Sequence, residues 1–380
     1  MAKQAQVTKK MINSPETCVD DQLRGFVASY PQLRLHPQHR VITVRNKMIV
    51  NRVALLGGGG SGHEPFASGY IGDGMLDGAI AGEVFASPPA GNALYAIKHL
   101  NKYYSGGILF FFGNYTGDRL NFGKAIQKAN AVGIKVESFI VAEDIASSKN
   151  KTGGRSMVGE VVLYKICGAM AVQGFDFNTV FQTASEVHQN MATLGVSLTS
   201  CSLPGQPPLF EVAADEVELG AGVHGEAGID RLKMGTAKEM VEMIIDKIVV
   251  FLKINPGDKV VATINNMGGT SILEMNVISA ETKQYLEKQK IAVERIYTGH
   301  LKTALEMQGF QICLLKLISN KVNLWLEMLD APTEAAGWTG TKNSMKSEEK
   351  HFDDDNLQEN DEQLTALGPL LKSKEQDIFR

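Results

Sequence analysis

Val53-Ala54-Leu55-Leu56-Gly57-Gly58-Gly59-Gly60-Ser61-Gly62-His63-Glu64-Pro65 joins an apolar run to four consecutive glycines and then to a histidine. The apolar run reads as a short β-strand and the glycines as the loop at its end. Glycine loses more conformational freedom on folding than any other residue and has no side chain to pack. Such a loop suits close approach of main chain to a polar ligand rather than core filling. His63 then stands directly behind exposed backbone N–H groups, a pairing that marks a candidate reaction site. The residues alone leave a second reading open, a tight turn with His63 as a hydrogen-bonded core side chain. Gly57–Gly62 also satisfies G-x-G-x-x-G. A dinucleotide site, however, needs a helix directly after the glycines, and Pro65, Gly69, Gly72 and Gly74 disfavour one. No Lys-Ser/Thr pair follows, so a Walker A loop does not fit.

On either side of this stretch, short apolar runs alternate with helical patterns, the order expected of α/β domains with largely parallel, partly mixed sheets. Gly107–Phe112 reads as a strand, Arg119–Ala131 as a helix and Lys135–Val141 as a further strand, a βαβ unit. Asp118, on the turn after the first of these strands, lies at the carboxyl end where such sheets place ligands. Taken alone, it is also a good helix cap. Helical patterns follow over Met157–Val172 and Asn178–Leu194, then the turn-rich Cys201–Pro208, and a domain boundary is expected near Gly195. The second half reads as another doubly wound unit: helix Thr236–Leu252, strand Lys259–Ile264, helix Ser271–Gln289, and strands Ile291–Tyr297 and Phe310–Leu317. The expected organisation is an N-terminal α/β domain over 1–194, a C-terminal α/β domain over 195–338, and an acidic, disordered tail over 339–380.

Composition narrows the function classes. The 380 residues are 44% hydrophobic and 21% charged, with 38 glycines, as expected of a soluble two-domain enzyme. The formal charge of -4 is uneven. Ser347–Glu362 carries eight carboxylates against Lys350, leaving about +3 on the remainder. That is no basic footprint for nucleic acid. Cys18, Cys167, Cys201 and Cys313 lie singly and read as free thiols in a reducing, cytoplasmic compartment. No run is long and apolar enough to suggest a membrane span, and Lys3, Lys9 and Lys10 precede no apolar stretch of the kind a signal peptide has.

Two further loops carry chemistry. Glu216–Gly228 holds His224 between Gly222 and Gly225, so the ring has little local cover. Nucleophile, general base, metal ligand and plain surface histidine are all open to it. Metal fits least, because no second His or Cys stands at ligand spacing. Asn265-Asn266-Met267-Gly268-Gly269-Thr270-Ser271 follows a strand and opens a helix. Its hydroxyls can cap that helix, and its N–H groups can hold a polar or anionic group.

Taken in order, Gly58–Pro65, Gly74-Met75-Leu76, Phe85–Pro88, Asn114–Asp118, Ser200–Gly205, His224-Gly225-Glu226 and Asn265–Ser271 resemble the substrate-binding K domain of dihydroxyacetone kinases, from about Met11 to Trp338. The resemblance implies a two-domain α/β protein, usually dimeric. In it, His224 adds to the ketone of dihydroxyacetone or a related triose and holds it as a hemiaminal. By the same resemblance, Gly60, Ser61, Gly62, His63 and Asp118 line the site, with His63 as acid/base and Asp118 as base. ATP with Mg is expected on a separate helical L domain acting in trans, so no cofactor is expected on this chain. Three departures stand out. Gly113-Asn114-Tyr115 replaces the usual Lys-Asn-Tyr, Ala67 takes the place of a usual histidine, and Ser156-Met157 replaces Arg-Gly. The loss of a charge-assisted hydrogen bond weakens ligand holding by about 1.5–3 kcal/mol. A catalytically silent relative, serving as a ligand-sensing or protein-binding module, is therefore the alternative to a kinase.

Overall fold

The computed structural model describes residues 7–45 and 50–340. Its order is α1 (Cys18–Ser29), β1 (Leu33–His36), β2 (Val41–Val44), β3 (Ala54–Ser61), β4 (Gly78–Val84), α2 (Ala90–Leu100), β5 (Ile108–Gly113), α3 (Thr116–Asn130), β6 (Val136–Val141), α4 (Gly159–Val172), α5 (Phe177–Gln189) and β7 (Met191–Ser197). The second half follows with β8 (Glu216–Leu219), β9 (Asp230–Lys233), α6 (Ala237–Leu252), β10 (Lys259–Asn266), α7 (Ile272–Lys288), β11 (Ala292–Gly299), β12 (Gly309–Leu317) and α8 (Val322–Asp330). Among the described residues no helix is long and apolar enough to cross a membrane. The acidic run and the rest of the expected tail beyond residue 340 lie outside the described residues.

The fold is α/β with two mixed, six-stranded sheets, ordered β1-β2-β4-β3-β5-β6 and β11-β10-β12-β7-β8-β9. In the first, β4, β3, β5 and β6 run parallel, and β1 and β2 extend the edge antiparallel. β5 shows why its interior is parallel. Phe110 and Phe112 pack with α2 and α3 residues such as Ile97 and Phe122, while Leu109 and Phe111 pack with Val161 and Tyr164 of α4. A strand buried on both faces reads as an unbroken apolar run. Full burial of each such side chain contributes about 1.5–3 kcal/mol. α4 is buried along nearly its whole length, because it packs with side chains of both sheets, Phe111 of the first and Cys313 and Leu315 of the second. That accounts for its apolar character all round.

Three expectations need correction. The second half is not doubly wound: only β10 and β11 pair parallel, and the other four pairings are antiparallel. The helix expected to reach Leu194 stops at Gln189, and Met191–Ser197 forms β7, so the boundary expected near Gly195 falls inside a strand paired with β12. Asn190 ends the helix there, and the β-branched Thr193 and Val196 favour the strand. Third, the glycine run is not a loop. Gly57–Gly60 continue β3, and Gly57–Gly59 are buried. Close approach is indeed what they allow, but to neighbouring protein. A Cβ on Gly57 would lie 2.8 Å from Leu76 Cδ1, and one on Gly58 would lie 2.7 Å from the Ile80 carbonyl oxygen of β4. α1, β1, β2, β4, α2, β8, β9 and α8 gave no signal strong enough to be read from the sequence.

The close packing against β4 makes a paired prediction. Gly58→Ala forces its Cβ against fixed backbone and is expected to lower unfolding stability by about 1–3 kcal/mol. Gly59→Ala, whose Cβ would meet only Phe66 at 3.6 Å, should change it little. Urea midpoints of the two variants check this, and equal losses would remove the steric account of the glycine run.

Candidate active site

His63 follows β3 and is 2% exposed. Its Nδ1 lies 2.8 Å from the Thr303 carbonyl oxygen, so Nδ1 carries the proton and donates it, leaving a lone pair on Nε2. Nε2 is buried and has no partner. Burial first, and then the nearby His224 and Lys302, push this imidazole well below its ordinary value, so the ring is neutral near neutral pH.

His224 reaches the same place from the loop after β8. Its ring centroid is 4.8 Å from that of His63 in an edge-on arrangement, 4.7 Å from Tyr115 and 5.3 Å from Phe85. Glu226 fixes its state: one carboxylate oxygen accepts from the His224 backbone N–H and the other from Nδ1–H, both at 2.9 Å. The remaining nitrogen, Nε2, is thereby the one with the free lone pair. Burial works to raise the Glu226 carboxyl, but the bonds from His224 outweigh it and hold it at about 2. Arg155 ties the loop to the first half through Asp144 at 2.7 Å and the Gly220 carbonyl at 2.7 Å.

Asp118 lies in the first turn of α3, so it is neither on the preceding turn nor the cap. Its Oδ1 is buried without a partner. Burial pushes its carboxyl up to about 6, against a smaller opposing pull from the Ser87 hydroxyl. His63, Asp118, His224 and Gly60 line one cavity of about 20 Å³, closed further by Phe66, Gly113, Tyr115, Glu160 and Lys302. That is room for one water-sized group. Ser61 and Gly62 do not line the cavity: the Ser61 hydroxyl donates to the Gly82 carbonyl at 2.8 Å, and the Gly62 N–H donates to the Glu64 carboxylate. Among the described residues no group of three His, Cys, Asp or Glu side chains is placed to hold a metal ion.

Two residues of the cavity escaped sequence reasoning. Lys302, 3% exposed, donates to Glu160 Oε2 and Ser156 Oγ, both at 2.8 Å, and its ammonium lies 4.1 Å from the Phe66 ring centroid. Glu160 also accepts from Ser156 Oγ at 2.6 Å and Tyr164 at 2.7 Å. Glu160 did carry a signal, since a carboxylate inside an all-round apolar helix is costly unless paired. Lys302 carried none, as one lysine in the loop between β11 and β12. The Asn265–Ser271 loop turns out to serve this site from behind. The Asn265 side chain accepts from the Leu301 and Lys302 N–H groups and donates to the Lys302 carbonyl and Gln311. Its expected role in holding an anion is corrected, because Ser271 and Glu274 already close the α7 terminus as a capping box and place a carboxylate there.

The similarity to known proteins extends over most of the chain. The Dak1 domain family model matches residues 24–337. The Homo sapiens protein "Triokinase/FMN cyclase" is 44% identical over 339 residues, covering 87% of this chain and 58% of the relative, so the chain spans little more than half of that protein's length. The "PTS-dependent dihydroxyacetone kinase 1, dihydroxyacetone-binding subunit DhaK" of Listeria innocua is 36% identical over 334 residues, covering 87% of this chain and the whole of that subunit. Among solved structures, "Dihydroxyacetone kinase operon co-activator Dha-DhaQ" superposes with a TM-score of 0.78 at 30% identity, covering 84% of this chain and 97% of the other.

The raised Asp118 carboxyl fixes the sign of a stability effect. Its folded value stands above the unfolded one, so its neutral form favours folding below about pH 4, and this contribution is lost as pH rises through about 6. Asp118→Asn should therefore be more stable than wild type at about pH 8, by up to about 3 kcal/mol, with the difference closing near pH 3. Thermal unfolding across that range checks it, and a variant less stable at every pH would contradict the burial cost.

Proposed function

Because this chain belongs to the Dak1 domain family, the K-domain type of dihydroxyacetone kinases, we propose that it captures a short ketose on His224 for phosphorylation of a terminal hydroxyl. The observation that carries the reading is the convergence of unshared basic atoms on one small cavity. His63 Nε2 and Asp118 Oδ1 are buried there without partners, and His224 holds its free lone pair on Nε2. Buried acceptors left unpaired cost about 1–3 kcal/mol each, so a ligand rich in hydroxyl donors stabilises them, and an electrophilic carbon suits the lone pair of His224.

The step balances as follows. The Nε2–carbon bond forms as the carbonyl π pair moves to oxygen. The oxygen then takes one proton from bulk solvent, relayed through His63 Nε2, so that capture takes up one proton, and the imidazolium keeps Nδ1–H against Glu226. Asp118, ionised above about pH 6, accepts the proton of the terminal hydroxyl as it attacks the phosphoryl donor. ATP with Mg on an L domain in trans is the donor in this reading, with dihydroxyacetone or a related triose as acceptor and a homodimer as the working form. Glycerol has no carbonyl and is refused.

A second reading keeps capture and omits phosphoryl transfer, leaving a ligand-sensing module. Similarity to a protein named as an operon co-activator favours it. Turnover of ATP and dihydroxyacetone in the presence of an added L domain separates the two.

Dihydroxyacetone labelled with carbon-13 at its ketone should show a new protein-bound resonance of a tetrahedral carbon with the wild-type chain, none with His224→Ala, and none with labelled glycerol. Absence of the resonance from wild type at saturating ligand would end the capture reading. Glu226→Gln should keep the fold and weaken capture roughly ten- to hundredfold, because the carboxylate that orients the imidazole and balances its developing charge is gone. Titration of the same resonance measures it.

A further inference from the structure

We propose that Lys302 is the cation that positions the ligand's carbonyl oxygen, so that the cavity selects ketoses through an ammonium delivered from the β11–β12 loop rather than from position 113. This rests on the capture reading and deepens it. Of the other charged or titratable side chains on the cavity wall, His63, Asp118, His224 and Glu160 present an acceptor or base, and the Tyr115 hydroxyl is already used in donating to the Ser156 carbonyl at 3.2 Å. As His224 adds, negative charge grows on the carbonyl oxygen, and a preorganised donor facing that oxygen is what favours addition. Lys302 is the cationic side chain on that wall. Two of its three N–H donors are used, by Glu160 and Ser156, which aim the ammonium and leave one donor beside the Phe66 ring.

Burial argues in the same direction. Lys302 and Glu160 are 3% and 0% exposed, and a buried ion pair is commonly no more stabilising than well-packed apolar residues of the same volume. Stability alone gives no reason to keep it. Position 113, where the resemblance leads one to expect a lysine, is closed in this protein. A Cβ on Gly113 would lie 2.9 Å from Ser156 Cβ and 2.8 Å from the Tyr115 ring. Ser156, packed over Gly113, is the residue whose hydroxyl accepts from Lys302. The ammonium is thus bonded to the residue that packs over Gly113. Phe66 and Ser156, far apart in the sequence, both contact the ammonium, and Gly113 lies beneath Ser156.

The test uses the full chain as wild type and as Lys302→Met/Glu160→Gln, a neutral pair of similar volume that leaves no buried charge unpaired. The same pair is then made in a His224→Ala background. Affinity for carbon-13 ketone-labelled dihydroxyacetone and the tetrahedral-carbon resonance are read together, with thermal unfolding as the control for fold. The expected result is an affinity loss of tenfold or more on neutralising the pair, in both backgrounds, with unfolding temperature unchanged or raised. A tetrahedral carbon with affinity unchanged by the neutral pair overturns the role of Lys302 alone. Lysine-dependent binding without a tetrahedral carbon overturns capture alone and supports Lys302. No binding to wild type overturns both.

Discussion

Five hydrogen bonds between the chain just after β3 and the loop between β11 and β12 hold the whole arrangement. The Tyr70 hydroxyl donates to the Leu301 carbonyl at 2.6 Å, Thr303 N–H to the His63 carbonyl at 3.2 Å, the Thr303 hydroxyl to the Glu64 carbonyl at 2.9 Å, and Leu305 N–H to the Gly62 carbonyl at 2.8 Å. The fifth runs from His63 Nδ1 to the Thr303 carbonyl. Each contributes only about 0.5–1.5 kcal/mol net, but their joint effect is geometric. The same segment that sets the proton on His63 carries Lys302 into the cavity, and Asn265 pins that segment to the end of β10. No site exists until both sheets have formed and met. The histidine of the first half takes its protonation state from a carbonyl of the second.

The sequence was legible where local chemistry decides structure. The apolar run of β5 and the capping boxes at Thr236 and Ser271 imposed their elements within a residue or two. The site was legible because His63, Asp118 and His224 sit in stretches whose residue types suit a ligand better than a core. Two kinds of feature were hidden. The glycine run looked like a loop, because nothing local says that Ile80, Leu76 and Tyr164 will approach it from other elements. The course of β7 was hidden too, since the helical pattern from Asn178 reads on to Leu194 and only pairing with β12 and β8 settles the state of residues 191–197. Lys302 was invisible for a related reason. A lysine in a loop is ordinarily solvated, and its burial is a property of partners more than a hundred residues away.

Function and stability pull against each other around the cavity. Burial raises the Asp118 carboxyl to about 6 and the nearby Glu143 carboxyl to about 7, and it drives His63 well below its ordinary value. A carboxylate that must ionise in such a place bears the cost of burying its charge, whereas a neutral imidazole there costs only its unpaired acceptor. The assignment of bases follows from this asymmetry. Burial keeps His63 neutral with its Nε2 lone pair free, whereas Asp118 ionises only once pH passes about 6. Glu226 is the counter-case. Its bonds to His224 outweigh its burial, so it stays a carboxylate and serves the imidazole without competing for the proton.

The departures from the family pattern would each, taken singly, count as a loss. In three dimensions they are not independent. Gly113 leaves its position without a side chain, and Ser156 packs over it and offers a hydroxyl. Phe66 offers a ring face, while Glu160 supplies the opposite charge that lets an ammonium remain buried. Removing Lys302 or Glu160 would leave the other as an unpaired buried charge. Random decay of an unused site has no reason to produce such mutual satisfaction, because a buried ion pair costs desolvation on both sides and persists only with its hydrogen bonds made. A cavity that had lost its ligand would more readily fill with apolar side chains. One ammonium at the wall, bonded to Glu160 and Ser156, shares the cavity with bases that lack partners.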